Sequence, residues 1–287
     1  MLFSVVIPTC HRNDLLANCL DRLAPGSQTT SASYEVIVSD DGSDSTAEAM
    51  MKEYYAWAKW VAGPRQGPAA NRNNGASYAQ GDWLVFTDDD CIPELNWLEA
   101  YANAIVANPE SQAFEGAIHP LGDTEIDMAN CPVNLAGGNF WSANIAVKTK
   151  TFQQINGFDP SYPLAAYEDQ DLYLRLSDLT AIPFISPSIV VHPVRITPLS
   201  YALSLNRIVQ RSASYAYHVN KHSKVLGYES NLKFMLMYCK YRANRVIYGL
   251  RERKAKRFLV AIFLMLVNTP LTLYYLFKFN DHRRGRN

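Results

Sequence analysis

Residues 34–46 read YEVIVSDDGSDST, and the fold is decided in this stretch. Val36, Ile37 and Val38 form an unbroken apolar run that ends at once in Asp40, Asp41, Gly42 and Asp44. A short apolar run without polar alternation, closed by turn residues, predicts a strand buried on both faces whose C-terminal end opens into a polar loop. The next residues, AEAMMKEYYAWAKW (47–60), have helical spacing throughout. Upstream, FSVVIPT (3–9) followed by NDLLANCLDRL (13–23) repeats the strand-loop-helix plan. Downstream, GPAANRNNGAS (67–77) opens a third helical stretch reaching about Ala79, and GDWLVFTDDDCIP (81–93) is another apolar strand ending in carboxylates. Strands alternating with helices predict an α/β domain with a parallel sheet covered on both faces and ligands at the strands' C-terminal ends.

From about 111 the pattern is less regular. FEGAIHP (114–120) and GGNFWSANIAVKT (137–149) precede NGFDP (156–160), then YEDQDLYLRLSDL (167–179) reads as a helix and IPFISPSIVVHPV (182–194) as paired short strands. These complete a first domain over 1–195. Beyond Arg195 the composition shifts to long helical stretches rich in Arg, Lys, Tyr, Leu and Met, so 196–287 is read as a separate basic helical region.

The 287 residues are 48% hydrophobic, 12% aromatic and 19% charged, which excludes disordered, collagen-like and coiled-coil chains. The formal net charge of zero hides a split: 1–195 hold 10 Lys and Arg against 24 Asp and Glu, whereas 196–287 hold 17 against 3. Such asymmetry predicts a C-terminal region that meets an anionic surface. Five cysteines without CxxC or Cys/His ligand spacing fit a reducing compartment, and no signal peptide is expected ahead of the first strand.

Three acidic groups, one histidine and two further segments are candidates for chemistry. Asp40, Asp41 and Asp44 follow a strand, where they suit a base or ribose or, for Asp44, a helix cap. Asp88, Asp89 and Asp90 repel one another by roughly 1 kcal/mol per close pair, so they need a cation or basic partner, or else form a solvated turn. Glu168, Asp169 and Asp171 begin a helix, where the dipole favours ionised carboxylates and where a general base is also well placed. His192, closing IVVHP, is either structural or a metal ligand. Arg72, with Arg65 before it, suits phosphate or stacking on a base, and Asn71, Asn73 and Asn74 suit fixing a loop; the same residues equally suit an ordinary solvated helix start. Gly138 allows close backbone approach, and Trp141 is a stacking platform for a sugar or a buried aromatic.

Taken in order, SVVIPTCHR, VIVSDDGSDST, ANRNNGA, WLVFTDDD, the Gly-rich segment, NGFD and YEDQDLYLRL resemble the family 2 inverting glycosyltransferases of GT-A fold over about residues 3–195. The resemblance implies a doubly wound mixed sheet flanked by helices, and a nucleotide-diphosphate sugar, usually UDP-linked, bound with Mn²⁺ or Mg²⁺. It implies Asp41 at the base, Pro8 and Thr9 along the nucleoside, Arg12, Arg72, Asp88 and Asp89 around the nucleotide, and Gly138, Trp141 and Glu168 toward sugar and acceptor. Asp88 to Asp90 match the DxD motif, so Asp88 and Asp90, with His192, become the metal set, and Asp169 matches the catalytic base. QRSASYAYH (210–218) lacks the QxxRW signature, which favours non-processive transfer in polysaccharide or glycolipid assembly onto a saccharide or lipid-linked acceptor. A nucleotidyltransferase would carry a glycine-rich loop after its first strand, which IPTCHRND lacks, and an inactive homologue would have lost carboxylates that are all present.

The last expectation concerns FLVAIFLMLVNTPLTLYYLF (258–277), preceded by Arg251, Arg253, Lys254, Lys256 and Arg257 and followed by Lys278, Arg283, Arg284 and Arg286. Positive flanks at both ends, with Asn268, Thr269 and Pro270 at the centre, predict a kinked re-entrant or interfacial segment on the cytosolic face of an anionic membrane, in preference to a single crossing. The alternative is a buried C-terminal helix packed on the catalytic domain, which the absence of charge permits but the basic flanks do not require. No nucleic-acid partner is expected.

Overall fold

The computed structural model describes residues 1–162, 166–227, 231–252 and 254–284, so Arg253 and Arg286 of the basic flanks lie outside the described residues. The chain forms two compact units. The first comprises 1–122, 131–160 and 168–194; the second comprises 123–130, 161–167 and everything from 195 on.

The first unit is built on one sheet. Its strands are β1 (Leu2–Thr9), β2 (Ser33–Asp40), β3 (Lys59–Ala62), β4 (Trp83–Phe86), β5 (Ile92–Pro93), β6 (Ala113–Leu121), β8 (Ile145–Lys148) and β9 (Phe184–Pro193); β7 (Ala129–Asn130) and β10 (Arg195–Ile196) pair in the second unit. The order across the sheet is β3-β2-β1-β4-β8-β6-β9-β5. The first four strands run parallel, as the strand-helix alternation predicts, and β8 enters antiparallel between β4 and β6, making the sheet mixed.

Helices α1 (Asn13–Asp21), α2 (Glu48–Tyr54), α3 (Pro68–Ser77), α4 (Trp97–Ala107), α5 (Thr149–Gln154) and α6 (Glu168–Ser177) cover the sheet. The two-residue period of β1 sorts the core. Phe3, Val5 and Ile7 join Leu16, Leu20, Trp97, Leu98 and Tyr101 in one cluster; Val6 joins Leu84, Phe86, Phe152, Phe158, Leu172 and Leu176 in the other. Glycine permits the closest of these contacts: a Cβ on Gly75 would lie 2.6 Å from Val6 Cγ1, so only a bare α-carbon lets α3 settle on β1.

Two elements differ from expectation. AEAMMKEYYAWAKW is not one helix, because α2 stops at Tyr54 and Lys59–Ala62 becomes the edge strand β3 beside β2. Pairing with β2, together with a bond from Trp60 Nε1 to Asp40 Oδ2 at 3.2 Å, outweighs local helical spacing. IPFISPSIVVHPV is not a pair of strands but the single strand β9, which runs parallel to β6 with a register shift at Gly116/Ala117. The extra residues absorbed by the shift made one long strand look like two. The NGFD corner is structural: Asn156 and Gly157 both have φ of 60°, and Arg175 donates to the carbonyls of Ile155 and Gly157 at 2.8 and 2.7 Å.

The second unit holds α7 (Leu199–Ala202), α8 (Leu205–Lys221), α9 (Asn231–Arg251) and α10 (Ala255–Arg284), with α10 packed along α8 and α9. Lys254 pairs with Glu125 at 3.2 Å and Arg257 donates to the Ala129 carbonyl at 2.8 Å, so part of the basic cluster secures segment 123–130. Ala255–Lys278 is long and apolar enough to cross a membrane by length and composition.

Candidate active site

The C-terminal ends of β1, β2 and β4 lie side by side, because these strands are parallel neighbours. Each runs straight into polar residues, and those residues form the site. Asp89 is fully buried; Thr9 Oγ1 donates to its Oδ2 at 2.7 Å and Arg12 Nε approaches the same oxygen at 3.2 Å. Burial pushes the Asp89 carboxyl up to about 7, although Arg12 and Thr9 hold it down. Arg12 also reaches Asp90 Oδ2 at 3.2 Å, and His192 Nε2, at the end of β9, lies 3.4 Å from Asp90 Oδ1. Burial works against a charged His192, but its hydrogen bond to Asp90 and the charge there prevail and raise the imidazole above its ordinary value.

Arg72, on the buried side of α3, joins the two acidic groups. Its Nη2 bonds Asp88 Oδ1 at 2.7 Å and its Nη1 lies 3.4 Å from Glu168 Oε1, while Phe158 lies under the guanidinium at 5.6 Å. The triplet's mutual repulsion is therefore met by Arg12, Arg72 and His192, all supplied by the chain itself. The neighbouring asparagines face elsewhere: Asn71 donates to the carbonyls of Thr9 and Ser39, Asn73 to that of Phe158, and Asn74 to that of Ala62.

At the start of α6, Asp169 accepts a hydrogen bond from the Ser142 backbone N–H at Oδ2, 3.2 Å away. Its Oδ1 is sealed from solvent and has no hydrogen-bond partner among the described residues. Burial raises both Asp169 and Glu168 above the ordinary carboxylate range; Arg72 opposes this at both, and the charge of Asp169 raises Glu168 further. A carboxylate whose pKa is raised by burial is a stronger base than a free one and is suited to take a proton. Asp171 is separate, bonded by Arg175 Nε at 2.8 Å within α6.

The remaining sequence candidates are scaffolded more than exposed. Asp41 accepts from the backbone N–H groups of Arg65 and Gly67 at 2.9 and 3.2 Å, and so ties the loop after β3 to the end of β2. Asp40, and not Asp44, organises the turn before α2, accepting from the N–H groups of Gly42 and Ala47 at 2.9 and 2.6 Å. Pro8 lies within buried β1. Trp141 is half-buried against the larger core cluster. Gly138, at φ 88°, donates its N–H to Glu115. Glu115 escaped the sequence reading: buried in β6, it accepts from the N–H groups of Gly138, Asn139 and Phe140 and from Asn134 Nδ2, and so shapes the loop that carries Ser142. Its signal was a lone carboxylate in the apolar run AFEGAI.

For a metal, Asp90, Cys91 and His192 offer donor atoms within 4.8 Å of one another. Cys91 is fully buried, and burial pushes its thiol well up. The Asp90 carboxylate suits a hard divalent ion such as Mn²⁺ or Mg²⁺ and the His192 imidazole suits a borderline transition ion, so the pair fits a divalent metal. Asp88, two residues before Asp90, is not among these grouped donors and is instead paired with Arg72.

The family model for glycosyl transferase family 2 matches residues 4–167, which carry the strand ends, the aspartate triplet and the Gly-rich loop. The chain belongs to glycosyl transferase family 2. An uncharacterized glycosyltransferase of Haemophilus influenzae is 29% identical over 194 residues, which cover 61% of this chain and 62% of that protein. The match thus spans less than two thirds of that relative's length. In fold, this family 2 chain is similar to S. aureus TarS 1-349 in complex with UDP-GlcNAc, with TM-score 0.55, 16% identity and coverage of 99% and 92%. It is also similar to the mannosyltransferase PcManGT from Pyrobaculum calidifontis in complex with GDP-Man and Mn²⁺, with TM-score 0.53, 16% identity and coverage of 96% and 72%. The architecture is GT-A-like.

Proposed function

We propose that this protein transfers a sugar from a nucleotide-diphosphate sugar to an acceptor hydroxyl in one inverting displacement, with Asp169 as general base. The observation that carries the reading is the Asp169 carboxylate, buried at the start of α6, raised by that burial and held at Oδ2 by the Ser142 N–H, with no hydrogen-bond partner at Oδ1 among the described residues. The Asp169 carboxylate takes the acceptor's proton as the acceptor oxygen attacks the anomeric carbon opposite the leaving diphosphate. Arg72 joins the strand-end acid Asp88 to Glu168 and adds positive charge close to both. Thr9 and Arg12 fix Asp89 and Asp90, and Asp41 fixes the loop beside the nucleoside. A divalent cation, held by Asp90, His192 and Asp88, would supply charge to offset the departing diphosphate.

The donor is read as UDP-linked, on the resemblance of the VIVSDDGSDST and WLVFTDDD segments and on the UDP-GlcNAc carried by one structural neighbour. The acceptor is read as a saccharide or lipid-linked saccharide, in polysaccharide or glycolipid assembly at the cytosolic face of a membrane, on the basic character of 196–287 and its apolar helix. Incubation with a panel of UDP-, GDP- and dTDP-sugars, with Mn²⁺, Mg²⁺ or EDTA, tests the reading through release of free nucleoside diphosphate. Release from a UDP-sugar that EDTA abolishes is the expected result. No release from any donor in the presence of acceptor lipid extracts would overturn it.

A further inference from the structure

We propose that α10 binds an anionic lipid surface by one face while lying in the plane of the membrane, with α8 and α9 packed behind it. This deepens the membrane reading above by naming the surface and the mode. Three observations in the second unit carry it.

The polar residues that interrupt the apolar run all face inward. Asn268, Thr269 and Thr272 are buried; Asn268 Nδ2 donates to Ser212 Oγ of α8 at 2.9 Å, and Asn268 Oδ1 accepts from Tyr238 and Arg242 of α9. Thr272 shares the Tyr238 hydroxyl at 3.2 Å. The outer face is apolar: Leu259, Leu266 and Phe277 are 57%, 70% and 52% exposed, and Tyr274 lies beside them. Spacings of seven and eleven residues put these three on one stripe of the helix. The centre that looked broken in sequence is therefore polar on one side only.

Packing then decides the mode. The polar lock joins α10 to α8 and α9, and α8 carries Arg207, Arg211, His218 and Lys221 while α9 carries Lys240, Arg242 and Arg245. A crossing by α10 would either take these charges into hydrocarbon or strip Asn268 of its partners at the bilayer centre, each strongly unfavourable. Charge at the helix ends agrees. Lys256 and Lys278 are exposed about 33 Å apart along the axis, and a helix lying flat sets both ammonium groups among headgroups, whereas a crossing sends one to the far side.

The test uses the full chain with phosphatidylcholine vesicles, with and without phosphatidylserine, and reads binding by co-sedimentation. Leu259→Glu and Leu266→Glu should each weaken binding to phosphatidylserine vesicles by about tenfold or more with Tm unchanged, whereas Val106→Glu, at an exposed position of α4, should not. A membrane-impermeant amine reagent added outside the vesicles should label both Lys256 and Lys278 in peptide maps. Labelling of only one would mean a crossing and overturn the in-plane mode. Wild-type binding that both Leu variants retain would overturn the named face alone. Wild type that binds neither vesicle would remove the membrane reading itself. A change of oligomeric state in the Leu variants, by light scattering without vesicles, would mean that a second copy covers this stripe and would also overturn the proposal.

Discussion

At the scale of single residues, Asp169 carries the sharpest predictions. Asp169→Asn should lower turnover by about 10²- to 10⁴-fold while nucleotide binding is retained, as read by single-turnover kinetics and calorimetry. Stability gives a second readout. The folded state raises the Asp169 carboxyl, so its contribution to stability is present below the unfolded pKa and is lost as pH rises through the raised folded value. At neutral pH the charged group is therefore a liability, and Asp169→Asn should raise Tm; a fall in Tm with turnover intact would mean that Asp169 only caps α6. The same shift sets the pH dependence. The base must be deprotonated, so the rate should fall on acidification with an apparent pKa above the ordinary aspartate value of about 3.9. A limb at or below that value would contradict the burial argument. For the proposed metal ligands, Asp90→Asn should weaken nucleotide binding in Mn²⁺ and leave the weaker binding in EDTA nearly unchanged, measured by titration calorimetry. Equal loss in both conditions would make Asp90 a partner of Arg12 only.

At the scale of elements, the site depends on segments that are held and not merely adjacent. The loop 138–142 keeps its shape through the bonds from three successive backbone N–H groups to Glu115, and it then presents the Ser142 N–H to Asp169. Glu115→Ala should orphan those donors and destabilise the protein by about 3 kcal/mol or more, measured by urea unfolding. A loss under about 1 kcal/mol would show that the loop is held by its neighbours. This dependence was not legible from local pattern, since Glu115 precedes its loop partners by 23 to 25 residues. The edge strand β3 was hidden for a similar reason: WVA becomes a strand only because β2 offers it a ladder. By contrast, β1, β2, β4, α1, α3 and α6 were legible because period, turn residues and helix-start carboxylates are written within a few residues of each other.

At the scale of the whole molecule, the charge split between 1–195 and 196–287 belongs to the membrane reading. If the basic region meets anionic lipid, vesicle binding of the full chain should fall steeply as salt shortens the Debye length from about 10 Å at 0.1 M to about 3 Å at 1 M. Salt-insensitive binding would make the apolar stripe sufficient alone. The sequence by itself determined the alternating α/β plan, the acidic ends of β2 and β4, the carboxylate pair opening α6, and the position of an apolar helix between basic flanks. All of these are short-range patterns of hydrophobicity, charge and turn chemistry. Only the tertiary structure decided what neutralises the aspartates, because Arg12 reaches Asp90 across 78 residues and Arg72 reaches Glu168 across 96. It also decided that β9 is one strand shifted against β6, and that Asn268 points toward α8 and α9. Each of these outcomes rests on a partner distant in the chain, which burial and hydrogen-bond satisfaction select only once the sheet and the helices have packed.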